Sequence, residues 1–356
     1  MKNNAEKILF LLLLTCSSCS SIYRFSIDIQ EPAAITLPVS AQNVLILNNT
    51  ITQPENYGIE RTFDGKSIRA DYPLSLDSMV WSVVDAITAV LNESNFFNTI
   101  AIYKAPLRSD SDTEWLSITE ISSETQSDFY DTENYDALFV IDRLLLSVNE
   151  NVKTIQTGSL SSEPSAFVDM RADGIITCSM YVYGKEQPLI TFNVSDSLFT
   201  KSVVDNDSIL LFKEIPEYML DELSHRIGNQ AATHFIPTWE TAERILFASY
   251  NSRMQEAAGY AVNHQWAKAE PIWTAELGKK TKPLDRAKIA FNLAVANEMQ
   301  DKFEPALEWV QKAKEYLTKT NSSNNSKEIA LIDEYISELE RRIQNNHLLD
   351  LQWGKE

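Results

Sequence analysis

Four histidines (His225, His234, His264, His347) and three cysteines (Cys16, Cys19, Cys178) are the residues best suited to bind a metal or attack a substrate. The histidines do not stand at ligand spacing from one another, and no His-Glu-x-x-His motif occurs. No Gly-x-Ser-x-Gly nucleophile elbow and no glycine-rich phosphate loop is present. Cys178 alternates in register with Ile176 and Met180, so it is expected as a small buried apolar residue. A thiolate there would need an activating partner that the sequence does not offer. The acidic pairs Asp110/Asp112 and Asp205/Asp207 lack the spacing of a calcium loop and are expected on solvated loops. Asp142-Arg143 interrupts an apolar run; it is expected at the run's exposed end, with a polar site at a sheet edge as the alternative. These residues predict no catalytic centre, no metal site and no cofactor.

The remaining cysteines belong to the first residues of the chain. Lys2 and Lys7 give a positive stretch before a short apolar run, Ile8–Leu14, far below the roughly 20 residues of a spanning helix but of signal-peptide size. Small residues before a cysteine follow, in Ser17-Ser18-Cys19. This resembles the lipobox of bacterial lipoproteins, in the looser form found in Bacteroidota. The resemblance implies lipidation at Cys19, with Cys16 as the alternative acceptor and a plain secretory signal as the bland one. The residues after Cys19 lack an acidic surface-export tract, so the expected location is the outer membrane, facing the periplasm. The formal net charge of −19 disfavours nucleic acid and anionic headgroups. Contact with the bilayer is therefore expected through the anchor only.

Elements must place whatever chemistry the body has. Residues 20–42 carry Pro32 and Pro38 without a clear period and read as a tether, with room for a short first strand. Asn43–Leu47 reads as a buried strand, 48–72 as loop, and Leu76–Leu91 as an amphipathic helix capped by Ser75. Thr99–Tyr103 reads as a strand and Ile118–Phe129 as a helix. Ala137–Val148 reads as a strand, and 176–182 and 190–194 as a hairpin around Gly184–Pro188. From Glu214 onward the pattern is helical: 214–234, 238–261, 265–277, 285–299, 303–317 and 326–344. The expected fold is an α/β sandwich (α+β), helices packed on a mixed sheet, followed by an all-α domain. The boundaries expected are 1–18 signal peptide, 19–42 lipidated cysteine and tether, 43–205 α/β domain, 206–346 helical domain and 347–356 tail.

The helical part repeats itself. Ala257, Tyr260, Trp266, Ala269 and Trp273 are matched, 37 residues on, by Ala294, Asn297, Phe303, Ala306 and Val310. This resembles the tetratricopeptide repeat. The resemblance implies a concave, peptide-holding face bearing Lys288 and Asn292, which share one helix face at i and i+4. The alternative is an ordinary surface Lys and an Asn bonded in the interior. The runs Tyr135–Leu138, Pro237-Thr238-Trp239, Arg244, Trp266–Ala269, Ile272-Trp273 and Phe291–Glu298 are similar to an uncharacterised family of Bacteroidota envelope lipoproteins ending in tetratricopeptide-like helices. The strand and helix order of the front domain distantly resembles the lipoproteins that activate peptidoglycan synthases or build the curli channel. Together these resemblances imply a lipid-anchored scaffold, not an enzyme, that binds an unknown envelope protein. One alternative is a subunit of an envelope secretion or pore assembly. It would need membrane-facing strands of about 9–11 residues, and only 173–199 comes near, with Asp196 on it. A second alternative is an envelope hydrolase with an unrecognised site.

Overall fold

The computed structural model describes residues 22–54, 57–68, 76–109, 111–155, 165–205, 214–248, 251–279, 282–319 and 326–355. Cys16, Cys19, Ser75, Asp110 and Asp207 lie outside the described residues. The chain forms two compact units, passing between them at 31/32, 238/239 and 350/351.

The first unit is an α+β sandwich. Its strands are β2 (Asn43–Asn48), β3 (Ile59–Phe63), β4 (Lys66–Ile68), β5 (Thr99–Tyr103), β6 (Ala137–Ile155), β7 (Ser165–Val182) and β8 (Ile190–Asp205). β2 pairs in parallel with β5 and with the first half of β6; β3 pairs in parallel with the second half of β6. β6, β7 and β8 form an antiparallel meander. Helices α1 (Asp77–Ser94) and α3 (Glu214–Thr233) pack on this sheet and on each other. Met79, Val80, Val83, Ile87 and Leu91 recur at helical spacing and make the buried stripe of α1. Gly228 lets the helices approach: a Cβ there would lie 2.8 Å from the Val83 carbonyl. The other sheet face is covered at one end by Ile121, Phe129 and Tyr130 over Leu45, Leu138 and Val140.

Several expected elements differ. The loop 48–72 contains the β3–β4 hairpin, whose Asp64-Gly65 turn takes positive φ at both residues. The helix at 118–129 shrinks to α2 (Ser123–Ser127), capped by Ser122, and a π-helical turn, Asp128–Thr132. α1 starts after Leu76 without a side-chain cap. The strands run on past their apolar cores: β6, β7 and β8 are 19, 18 and 16 residues long. Residues 173–199 are therefore not the one long hairpin. Asp196 pairs with Gly174 and bonds Arg226 of α3, which puts it on the helix-covered face.

The second unit contains α4 (Ser252–Val262), α5 (Trp266–Leu277), α6 (Pro283–Glu298), α7 (Phe303–Thr318) and α8 (Ser326–Gln352), consecutive pairs from α4 to α7 lying side by side. It also holds a two-stranded sheet of β1 (Ile22–Glu31) and β9 (Thr238–Phe247). Ile22–Glu31 of the expected tether is thus a strand of 10 residues, longer than the short one allowed for, and the helix expected at 238–261 begins only at Ser252. Period explains the error: Ile245, Leu246 and Phe247 are a continuous buried run, which alternation and helical spacing fit equally. The expected boundary at 205/206 moves to 238/239, because α3 covers the sheet. The tail from 347 is helical to Gln352, whose side chain brackets the Ala33 backbone at 2.9 and 3.0 Å.

The internal offset is visible in the turns. His264 and Asp301, 37 residues apart, both take left-handed φ, at 56° and 58°. The amides after them donate to Tyr260 and Asn297 at 2.9 and 3.0 Å. Trp266, Ala269, Trp273, Phe303, Ala306 and Val310 are all buried.

Candidate functional site

Lys288 and Asn292 lie on α6, which is buried on nearly every side from Ala287 to Glu298. Asn292 is fully buried, and its amide both accepts from the Phe247 amide at 2.8 Å and donates to the Phe247 carbonyl at 2.7 Å. It is thus spent on the chain's own β9 and cannot hold a foreign carboxylate. Lys288 is half-buried, its Nζ 5.6 Å from the Phe247 ring centroid. The face expected to hold a peptide holds an extended segment of this same chain.

The open groove of this unit lies elsewhere, between β9 and α8. It encloses about 760 Å³ and follows Glu240 to Ile245 in sequence, with Phe291, Leu331 and Tyr335 among its apolar walls. Behind it is a buried ionic network. Arg244 grips Glu298 with two bonds, at 2.8 and 2.7 Å, and the Tyr335 hydroxyl donates to Glu298 at 2.5 Å. Arg342 completes the carboxylate, and Glu338 bonds Arg244 at 3.2 Å. Burial alone would push Glu298 up, but Arg244, Tyr335 and Arg342 hold it below the usual carboxylate range. The same burial and the Glu298 charge drive the Tyr335 hydroxyl well above its ordinary value. The linked groups anchor the groove wall. Arg244 and Glu298 are sequence-visible as polar interruptions of buried runs, but only tertiary structure brings them together.

Asp142 is the second perturbed group. It sits at a bulge in β6, where register slips between Ile141 and Arg143, and it is 2 % exposed. It is therefore not at an exposed end, as expected, but inside the sheet. Ser179 Oγ donates to it at 2.6 Å, Asn49 Nδ2 lies at 3.5 Å, and Ser179 shares a hydroxyl contact with Thr191 at 2.7 Å. Burial raises its pKa to about 6, against the pull of the Ser179 and Asn49 hydrogen bonds. Cys178 is buried and its thiol is pushed up by burial and by the Asp142 charge, so no nucleophile is activated beside it. Among the described residues, no group of three or more His, Cys, Asp or Glu side chains could hold a metal ion.

No curated protein matches the chain. Solved structures similar in part include protein XCC0632 from Xanthomonas campestris (11% identity, 55% of this chain and 87% of that one, TM-score 0.24). A neuraminyllactose-binding hemagglutinin homolog from Helicobacter pylori (14%, 56% and 80%, 0.20) and the hypothetical protein CT253 from Chlamydia trachomatis (12%, 55% and 98%, 0.22) are also similar. Scores this low carry no argument about this chain's activity. A family model described as domain of unknown function DUF6340 matches residues 255–341, the helices after β9. A second model covers residues 41–247, more than half of the chain, and by that match the chain belongs to the family described as domain of unknown function DUF8603.

Proposed function

We propose that this chain is a lipid-anchored cell-envelope protein that acts without catalysis, its helical unit holding an extended segment of a partner protein in the groove beside β9. The observation that carries the reading is that the groove touches every residue from Glu240 to Ile245. The groove also touches Arg24 and Ile29 of β1, so it runs along the β1–β9 ribbon and reaches past β9 to Leu331 and Tyr335 of α8. β9 pairs with β1, and among the described residues no other strand pairs with it. An edge beside Ile245, Phe291, Leu331 and Tyr335 suits recognition by strand addition, main chain giving affinity and alternate side chains specificity.

The charge of the lining selects the partner. Arg24 and Arg341 of the lining are paired with Glu243 and with Glu31 and Glu338, which leaves Glu240 and Glu334 exposed beside the groove of a strongly acidic chain. A segment carrying Lys or Arg is therefore steered to it. The signal-like leader and Cys19 supply the attachment, and the tetratricopeptide-like helices supply the rigid wall. The test is to pan a random peptide library on the full-length protein in detergent. Selected peptides are expected to alternate apolar and basic residues. They should bind the Glu240→Lys/Glu334→Lys variant roughly tenfold or more weakly, since like charges now meet. Peptides whose binding ignores that double change would overturn the reading.

A further inference from the structure

We infer that the open face of the β6–β7–β8 meander, in the sheet-bearing unit, is a binding site for a neutral oligosaccharide. The register of the three strands sets Ser147 opposite Asp173, and Asp173 opposite Ser197. All three side chains therefore stand in one row on the face away from α3. Adjacent strands lie about 4.8 Å apart, close to the length of one pyranose ring, so the row offers a polar group at each ring of a sugar chain laid across the strands. Asp173 is only partly buried and already oriented: Arg171 chelates it at 2.8 Å and Ser197 Oγ donates to it at 2.6 Å.

An aromatic ring stands at each end of the row. On the β6 side, the Gly58 carbonyl accepts from the Val148 amide, which brings Tyr57 beside Ser147. Tyr57 is 52% exposed and braced edge-on by Trp115 at 4.4 Å. On the β8 side is Phe199, 67% exposed, with the Arg171 guanidinium 5.1 Å from its centroid. Neither ring serves a core, so their exposure asks for a ligand with apolar C–H faces. The cleft that they bound holds about 1010 Å³, at the top of the range for small-ligand sites, and so fits several rings rather than one.

The charges choose between ligand classes. Arg171 and Asp173 cancel each other, and Asp196, which borders the cleft but turns its side chain to α3, is paired there with Arg226. Exposed Glu60 is left over and makes the lining weakly acidic, which repels a phosphate or sulfate and admits a neutral polyol. A peptide laid across this face would gain nothing from its main chain, because strand N–H and C=O groups point within the plane of the sheet and not out of its face.

The test is calorimetric titration of the full-length protein in detergent with cellohexaose, chitohexaose and maltohexaose, and with dextran sulfate as an anionic control. At least one neutral hexamer is expected to bind and the control to fail. Phe199→Ala and Tyr57→Ala should each weaken binding roughly tenfold while leaving the melting temperature unchanged. Phe199→Ala alone decides if the Tyr57 variant does not fold. Failure of all three neutral sugars, affinity untouched by the Phe199 change, or preference for dextran sulfate would each overturn the inference. The peptide-binding groove is on the other unit, so its Glu240→Lys/Glu334→Lys variant should bind sugar normally.

Discussion

At the scale of single residues, two buried carboxyl groups are driven in opposite directions by their partners. Glu298 faces two arginines and a tyrosine hydroxyl, so its folded pKa is low. Its contribution to stability is present at neutral pH and is lost as pH falls below the usual carboxylate range. Asp142 faces hydroxyl and amide groups, with Glu120 and Arg108 as its charged neighbours, and burial dominates. Its folded pKa, about 6, exceeds the ordinary 3.8. The native state therefore binds the proton more tightly than the unfolded state does. The resulting stabilisation is complete below 3.8 and is lost as pH rises through about 6. Above that, a buried carboxylate costs about 3 kcal/mol relative to the acid. Asp142→Asn keeps the shape, accepts from Asn49 and can donate to Ser179, which in turn can donate to Thr191. It should leave stability nearly unchanged at pH 4 and raise it by up to about 3 kcal/mol at pH 8. Urea unfolding at both pH values checks this; an equal gain at both would mean that the carboxyl is not the cause.

At the scale of elements, α6 explains why the resemblance to peptide-holding repeats led to the wrong face. A helix rich in alanine, buried around its whole circumference, is a central helix and has no open side. β9 lies against it, bonded through Asn292. The paired positions in the two helix pairs hold this arrangement together. Ala269 and Ala306 are both fully buried, where helices meet. Ala306→Leu forces the helices apart and should cost about 1–3 kcal/mol, seen as a lower melting temperature. Binding of the library-selected peptides, measured below the transition, should be unchanged. Lost binding with unaltered stability would instead make these residues part of the site.

At the scale of the molecule, the expected anchor governs where both proposed sites work. Cys19→Ala should release the protein from the membrane fraction, and mass spectrometry of the mature wild-type N-terminus should find an acylated cysteine. Release by Cys16→Ala with Cys19→Ala still anchored would reverse the choice of cysteine. Among the described residues, no helix is long and apolar enough to cross a membrane. The long strands β6 to β8 reach the length that a pore would need, yet their open face bears Asp169, Arg171, Asp173 and Lys201. Charges of that density are costly against lipid, which is why a sugar, and not a bilayer, is assigned to that face.

What the amino-acid order determined by itself was local. The stripe of α1, the β7–β8 hairpin at Gly184, the helices from Trp266 onward and the 37-residue echo all follow from periodicity and turn chemistry within a few residues of the chain. These signals need no distant partner. Tertiary structure alone decided the rest. β1 and β9 are more than 200 residues apart in sequence and become strands by pairing with each other. α3 looks like the helices that follow it but covers the sheet, because its apolar stripe meets α1 at Gly228. Arg244 finds Glu298, and Ser147 finds Asp173 and Ser197, only through packing and register. Burial, which moves Asp142 to about 6 and seals Asn292, is likewise a property of neighbours and not of spacing.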